Sequence, residues 1–122
     1  MMKQTLMVVD DEPDTIELAK AILDMHGFKV LAFTKSTEAL AALKEGAHPD
    51  LLILDMRMPE MSGPDFCKAM RADPKLKDIK VVYFTASSDS NEAILEPYHV
   101  LGFIFKPFDN EDFVTKIKHY LK

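Results

Sequence analysis

Five short apolar segments alternate with stretches of helical periodicity along this 122-residue chain. The segments are rich in β-branched and aromatic side chains, which is typical of buried strands. The alternation predicts an α/β domain in which helices cover both faces of a parallel sheet. The five strands are predicted at LMVVD (6–10), FKVLAF (28–33), LLILD (51–55), VVYFT (81–85) and FIFK (103–106).

The intervening stretches carry signals for the start and end of helices. Pro13 suits the first turn of a helix and Gly27 suits its end. A second helix is predicted over residues 36–46, with Ser36 as its N-cap and Gly46 as its stop. Three more helices are predicted at residues 62–72, about 89–96 and 109–121.

Right-handed crossovers leave few ways to connect five parallel strands. The favoured arrangement is a single doubly wound five-stranded sheet with the strand order 2-1-3-4-5, a flavodoxin-like (βα)5 fold. Ligands bind such sheets at the carboxyl ends of strands 1 and 3. Asp10 and Asp11 follow strand 1, and Asp55 ends strand 3. Asp55 is expected to lie where the strand leaves the core, because burying an ionised carboxylate is costly.

Three carboxylates at one edge of a sheet form a site of hard oxygen ligands. They would repel one another strongly unless a cation joined them. Mg²⁺ suits such a site, since it takes few carboxylates, keeps some waters and accepts phosphate as a further ligand. The competing interpretation is that Asp10, Asp11 and Glu12 merely stabilise the first helix, where negative charge is favourable. The additional presence of Asp55 favours the metal site.

Two further strand ends carry polar side chains toward the same edge. Thr85 ends strand 4 with a hydroxyl, and Lys106 ends strand 5 with an ammonium group. Each residue taken by itself would be a structural threonine or a solvated lysine. Together with the acids and a divalent metal they supply what is needed to form and hold an acyl phosphate, in which a carboxylate has attacked phosphorus.

Charge and composition exclude several other classes of protein. Fifteen basic and twenty acidic residues give a net charge of −5, so we expect no direct nucleic-acid binding by this domain. The apolar runs are far shorter than a membrane helix requires, and no signal peptide is evident, so no membrane association is expected. The single cysteine, Cys67, is expected to pack in the third helix and fits a cytoplasmic location.

Four motifs in this order, VVDDEP, LLILDMRMPEMSG, FTAS and FIFKPF, closely resemble the receiver domain of bacterial two-component response regulators, the CheY-like family. The resemblance covers almost the whole chain. It implies that Asp55 is the phosphoacceptor. It also implies that Asp11, Asp55 and the backbone carbonyl of Arg57 bind Mg²⁺, with Asp10 reaching the metal through water.

The resemblance assigns roles to the other strand ends as well. Thr85 would bond a phosphoryl oxygen after activation, and Lys106 would pair with the phosphate. A cis peptide bond is implied between Lys106 and Pro107, and Phe103 occupies the place of the aromatic switch residue. Residues 1–122 are accordingly predicted to form one response regulator receiver domain.

The implied function is a phosphoacceptor signalling switch that catalyses only its own phosphorylation and dephosphorylation. Its partners would be a histidine kinase or phosphotransfer protein and a downstream protein target or fused output domain. The switching face would comprise the helix at 89–96, which Pro97 is expected to end and soften, strand 103–106 and the helix at 109–121. Two alternatives stay open: a degenerate receiver that binds proteins without phosphorylation, and an aspartyl-phosphate phosphatase.

Overall fold

The computed structural model describes residues 3–86 and 91–122 of the chain. Within these ranges the chain forms five strands, four α-helices and two short 3₁₀ turns. The strands are β1 (Thr5–Val9), β2 (Lys29–Phe33), β3 (Leu51–Asp55), β4 (Val81–Ala86) and β5 (Phe103–Lys106). The α-helices are α1 (Pro13–Met25), α2 (Ser36–Lys44), α3 (Gly63–Arg71) and α4 (Asn110–Leu121).

All four strand pairings are parallel, and the sheet has the order β2-β1-β3-β4-β5. The predicted doubly wound topology is confirmed. The strand positions agree with the sequence prediction to within about a residue at most ends. The one difference that affects the site is at β1, which ends at Val9, so Asp10 lies just beyond the strand rather than within it.

The sheet separates two apolar cores, because successive side chains of a strand point to opposite faces. Leu6 and Val8 of β1 pack in the core beneath α1 and α4. Met7 and Val9 pack in the core beneath α2 and α3. The central strands β1, β3 and β4 are buried on both faces, which explains why their sequences read as continuous apolar runs.

The connection between β4 and β5 differs most from the sequence prediction. A helix was predicted over about 89–96, of which residues 89 and 90 lie outside the described part of the chain. In the described part the chain forms two 3₁₀ turns, Glu92–Ile94 and Glu96–Tyr98, rather than a continuous α-helix. Pro97 lies inside the second turn instead of ending the segment. A proline is tolerated there because the first residues of a helical turn do not need their N–H groups.

The prediction that Ser36 is the N-cap of the second helix is wrong. Ser36 is already the first residue of α2, and the preceding Lys35 makes no side-chain capping bond. The Ser36 side chain is buried, and its hydroxyl has no hydrogen-bond partner, so it cannot cap the first turn. The caps of α3 and α4 do form: Ser62 Oγ accepts from the Asp65 N–H at 3.2 Å, and Asp109 Oδ1 accepts from the Glu111 N–H at 3.0 Å.

None of the described helices has both the length and the apolar content needed to cross a membrane.

Candidate functional site

Four parallel strands bring their carboxyl ends to one cleft. Asp10 directly follows β1, Asp55 ends β3, Thr85 is the next-to-last residue of β4 and Lys106 ends β5. The cleft has a volume of about 350 Å³. Its walls are formed by Asp11, Glu12, Asp55, Arg57, Thr85, Ala86 and Lys106. The parallel register therefore gathers side chains that lie far apart in the sequence.

The three acids of the cleft lie close enough to share one cation. One carboxylate oxygen each of Asp10, Asp11 and Asp55 lies within 4.8 Å of the other two. Asp10 is fully buried, Asp55 is 6% exposed and Asp11 is open to solvent. Three hard oxygen donors with one solvent-facing side fit Mg²⁺, which binds through a few carboxylates and retains water.

The buried Asp10 carboxylate has two partners. Oδ1 accepts a hydrogen bond from the Glu12 N–H at 2.9 Å. Oδ2 forms an ion pair with Lys106 Nζ at 2.6 Å. The same ammonium lies 3.5 Å from Asp55 Oδ2 and 5.0 Å from the centre of the Phe84 ring. In this arrangement Lys106 supplies positive charge to two carboxylates at once.

Two opposing effects set the pKa of Lys106. Partial burial lowers it, but the hydrogen bond to Asp10 and the negative charges of Asp10, Asp55 and Glu12 outweigh that effect and raise the pKa above its ordinary value. The lysine therefore stays charged at every pH at which the site could work.

Asp55 stays buried at its strand end, where the sequence argument expected it to leave the core. Burial raises its pKa to about 7, and the negative charge of Asp10 adds to the rise. The Arg57 N–H, which donates to Asp55 Oδ1 at 3.2 Å, and the charge of Lys106 oppose this rise. These two groups and the neighbouring cleft explain how the fold accommodates a carboxylate in so apolar a strand.

Thr85 and Arg57 border the carboxylates from β4 and from the loop after β3. The Thr85 side chain is 2% exposed, and its hydroxyl donates to the Ala86 carbonyl at 3.2 Å. Arg57 lines the cleft, and its main-chain N–H is bound to Asp55. The structure thus places both residues beside Asp55. The metal-binding role of the Arg57 carbonyl stays a prediction.

The aromatic residue Phe103 is not among the residues that line the cleft, and it lies two strand positions before the residue that pairs with Thr85. In the parallel register Thr85 is opposite Phe105, and Tyr83 is opposite Phe103. Phe103 is half-buried, with its ring centre 6.2 Å from that of Tyr83 and 5.9 Å from that of Phe105. The peptide bond between Lys106 and Pro107 is cis.

Gly63 borders the site, although no role for it was predicted from the motif LLILDMRMPEMSG, which it ends. Its N–H donates to the Met56 carbonyl at 2.9 Å. A Cβ atom at this position would lie 2.8 Å from the Asp55 carbonyl oxygen and 2.9 Å from Met56 Cα. Only glycine lets α3 begin this close to the loop that carries Asp55. The signal in the sequence was a glycine directly after the N-cap Ser62, where a helix does not ordinarily need one.

The model of the response regulator receiver domain family matches residues 6–118 of the chain. The DNA-binding response regulator MtrA of Mycolicibacterium smegmatis is 31% identical over 122 residues, which cover 99% of this chain and 52% of the relative. The chain therefore spans about half the length of the curated relatives it matches.

Solved structures agree with the fold. The chemotaxis protein CheY4 of Vibrio cholerae superposes with a TM-score of 0.89 at 25% identity, covering 98% of this chain and 99% of that chain. The receiver domain of a sensor histidine kinase from Pseudomonas aeruginosa, described with a magnesium ion coordinated in its active site cleft, has a TM-score of 0.85 at 19% identity, with 98% of each chain covered.

Proposed function

Because this chain belongs to the response regulator receiver domain family, we propose that it is a phosphoacceptor switch in which Asp55 receives the phosphoryl group. The observation that carries the proposal is the meeting of three carboxylates with Lys106 in one cleft at the strand ends. Asp55 lines the cleft beside Thr85, and its Oδ2 lies 3.5 Å from Lys106 Nζ. Residues 1–122 act as one receiver domain in this proposal.

The proposed reaction transfers a phosphoryl group from a phosphohistidine to Asp55. A carboxylate oxygen of Asp55 forms a bond to phosphorus while the phosphorus–nitrogen bond breaks, and its electron pair returns to the imidazole of the donor. The nucleophile must be ionised, and Lys106 and the Arg57 N–H favour that form. Lys106 Nζ then neutralises charge on the transferred group, and the Thr85 hydroxyl bonds one of its oxygens.

The residues present fit a bound Mg²⁺. Asp11 and Asp55 would hold it together with the Arg57 carbonyl, and Asp10 would contact it through water. When bound, the ion supplies positive charge that offsets the repulsion among the carboxylates and the phosphoryl oxygens. Asp11 is suited to this role because it is the most exposed of the three acids and can meet a hydrated ion.

The proposed partners are a histidine kinase or phosphotransfer protein as donor and a protein target or fused output domain as receiver of the signal. MtrA is described as a DNA-binding response regulator, and this chain covers about half of it. The domain's own charge of −5 favours signalling through protein contacts rather than direct nucleic-acid binding. A cytoplasmic location accords with this role.

Phosphorylation from a small donor tests the proposal directly. The protein incubated with acetyl phosphate and Mg²⁺ should gain the mass of one phosphoryl group, and EDTA should prevent the gain. Asp55→Asn should gain none, while Asp50→Asn, a substitution at the opposite end of β3, should label like the wild type. Equal labelling of Asp55→Asn would overturn the assignment. The absence of labelling in every protein would favour a receiver that binds partners without phosphorylation.

A further inference from the structure

Arg71, the last residue of α3, binds the main-chain carbonyls of two separate segments. Its Nη1 donates to the carbonyls of Lys77 and Ile79, both at 2.8 Å. Its Nε donates to the carbonyl of Tyr98, also at 2.8 Å. The guanidinium group suits this task because its donors are fixed in one plane and point in different directions.

The two segments differ in how firmly they are held. Ile79 is buried and lies two residues before the central strand β4. Tyr98 ends the second 3₁₀ turn of the segment 91–100, which we call the crossover. In the crossover the 3₁₀ turns are only three residues each, and 3₁₀ hydrogen bonds have poorer geometry than those of an α-helix. Arg71 thus joins a fixed part of the fold to a weakly held part.

The opposite end of α3 lies at the phosphoacceptor loop. Gly63 begins the helix and contacts the main chain of Asp55 and Met56. The helix α3 therefore runs from Gly63, beside the main chain of Asp55, to Arg71, and the Nε bond extends the connection to the crossover. Beyond Tyr98 the chain continues through Val100 into β5, which carries Phe103 and Lys106. Arg71 lies on a contiguous path between the reacting carboxylate and the strand that carries the aromatic residue.

We propose that Arg71 is a positioning residue that holds the crossover in the resting arrangement through the Tyr98 carbonyl. The proposal rests on the proposed function, since it is phosphorylation of Asp55 that shifts the crossover. The two Nη1 bonds keep the side chain in place, and the Nε bond is the one that breaks when the crossover moves. Weakening this bond favours the active arrangement by about tenfold, the effect expected for one charge-assisted hydrogen bond.

The test uses two-dimensional NMR of the full chain, with Mg²⁺ and beryllofluoride as the probe for the phosphoryl group. The amide signals of Thr85 and Phe103 define a line between the free and the saturated wild-type protein. Arg71→Lys, which keeps the charge but loses the planar donors, should move the free signals along that line toward the saturated position. It should also bind beryllofluoride about tenfold more tightly.

Lys80→Ala is the matched control. Lys80 Nζ lies 3.2–3.5 Å from the carbonyls of Tyr120, Leu121 and Lys122 at the end of α4, so it too is a cation on main-chain carbonyls. Its loss should lower stability without moving the signals along the line. Free Arg71→Lys signals that stay at the wild-type position, or that move away from the saturated one, would overturn the proposal.

A second measurement needs no variant. The Arg71 Nε–H signal of the wild-type protein should change when Mg²⁺ and beryllofluoride saturate the site, because Nε loses the Tyr98 carbonyl. An unchanged Nε–H signal in a complex whose Thr85 signal has shifted would overturn the proposed role of Arg71 and leave the proposed function intact. A protein that neither responds to beryllofluoride nor gains phosphate would instead overturn the proposed function.

Discussion

Lys106 lies closer to Asp10 than to Asp55: its Nζ is 2.6 Å from Asp10 Oδ2 and 3.5 Å from Asp55 Oδ2. The lysine thus has its tighter contact with the acid that is fully buried. In the free protein Lys106 stabilises Asp10, and the same ammonium is within reach of whatever group is attached to Asp55. One side chain therefore stabilises the buried acid and also serves the proposed signalling function, and Lys106→Ala tests the two roles separately.

Lys106→Ala should destabilise the protein by about 3 kcal/mol in EDTA, because it leaves the Asp10 carboxylate buried without its cation. Mg²⁺ should recover part of the loss, since the metal brings positive charge to the same acids. Urea denaturation in EDTA and in Mg²⁺ measures both effects. The variant should still bind Mg²⁺ but lose much of the beryllofluoride-induced change at Phe103.

Lys20→Ala provides the comparison for this prediction. Lys20 also contacts a carboxylate at 2.7 Å, that of Asp24, but both side chains are about half exposed. Exposed ion pairs contribute about 0–1 kcal/mol, so this variant should be nearly as stable as the wild type. Similar losses for Lys20→Ala and Lys106→Ala would contradict the importance of the buried pair.

The stability of the metal-free protein should fall as the pH rises from about 4 to about 7. The pKa of Asp55 is raised from 3.8 to about 7 in the folded protein. Between these values the folded protein holds a proton that the unfolded chain has lost, so raising the pH favours unfolding. At about 1.4 kcal/mol per unit the full pKa shift would correspond to about 4 kcal/mol, and solvent screening at the open cleft should reduce the loss to roughly 1–3 kcal/mol.

Denaturation at several pH values in EDTA measures this slope. Asp10, Asp11 and Lys106 face Asp55 in the cleft, and Asp55→Asn leaves all three unchanged. The slope between pH 4 and 7 should therefore flatten in that variant. Mg²⁺ affinity of the wild type should rise over the same range, because the metal requires the ionised carboxylate. An equally steep slope in Asp55→Asn would assign the effect to other groups.

Gly63→Ala should displace the main chain at Asp55 and Met56. The added methyl would lie 2.8 Å from the Asp55 carbonyl oxygen and 2.9 Å from Met56 Cα, so main-chain atoms must move. We expect a stability loss of about 1–3 kcal/mol. Phosphorylation by acetyl phosphate, followed by intact mass, should slow by about tenfold or more, because small displacements of a reacting group are costly.

Gly46→Ala separates the displacement of the loop from a general loss of stability. Gly46 has a φ of 115° after α2, and nothing lies within 4 Å of an added Cβ. Its substitution should strain the backbone and lower the stability but leave the phosphorylation rate of the folded protein unchanged. If both alanine variants slow phosphorylation equally, the contact of Gly63 with the loop is not the reason.

Beryllofluoride should shift the free protein only partly toward the active arrangement. The Thr85 bond and the Lys106 pair contribute roughly 1–3 kcal/mol each. Moving a population from 1:99 to 99:1 requires about 5.5 kcal/mol. NMR relaxation dispersion should therefore detect residual exchange at Thr85 and Phe103 in the saturated complex. A single conformer in the absence of a partner would contradict this prediction.

The position of His99 predicts a further effect on the crossover. Its φ of 56° lies in the left-handed region, which a β-branched residue adopts at a cost of about 1–2 kcal/mol. His99→Val should destabilise the protein by about that amount, while His99→Gly should be neutral or stabilising. Thermal unfolding of the two variants measures the difference, and equal stability would contradict a backbone origin.

The sequence predicted the sheet and the meeting of Asp10, Asp55 and Lys106 because both depend on strong local patterns. Buried parallel strands read as apolar runs, and their order brings the carboxyl ends to one edge. Burial of Asp55 was less predictable, since it depends on the Lys106 ammonium, whose position is set by the distant strand β5, as well as on the neighbouring Arg57 N–H.

The crossover was the least predictable element because its local signals conflict. Ile94, Leu95 and Tyr98 pack on the core at spacings compatible with a helix, but Pro97 removes a main-chain donor. The two 3₁₀ turns let these apolar side chains pack on the core and also accommodate a proline that cannot donate a main-chain hydrogen bond. The bond from Arg71 to Tyr98 joins residues 27 positions apart, so no local pattern indicates it.

The pairing of Asp10 with Lys106 spans nearly the whole length of the chain, and this has a consequence for biosynthesis. Synthesis proceeds from the N-terminus, so the acids of the cleft are made well before the lysine that pairs with them. Until β5 joins the sheet, only dissolved cations can neutralise the charge of these carboxylates. Long-range pairings of this kind form late in folding. A chain that stalls before its last strand therefore carries Asp55 without Lys106, so the proposed phosphorylation would require that folding is complete.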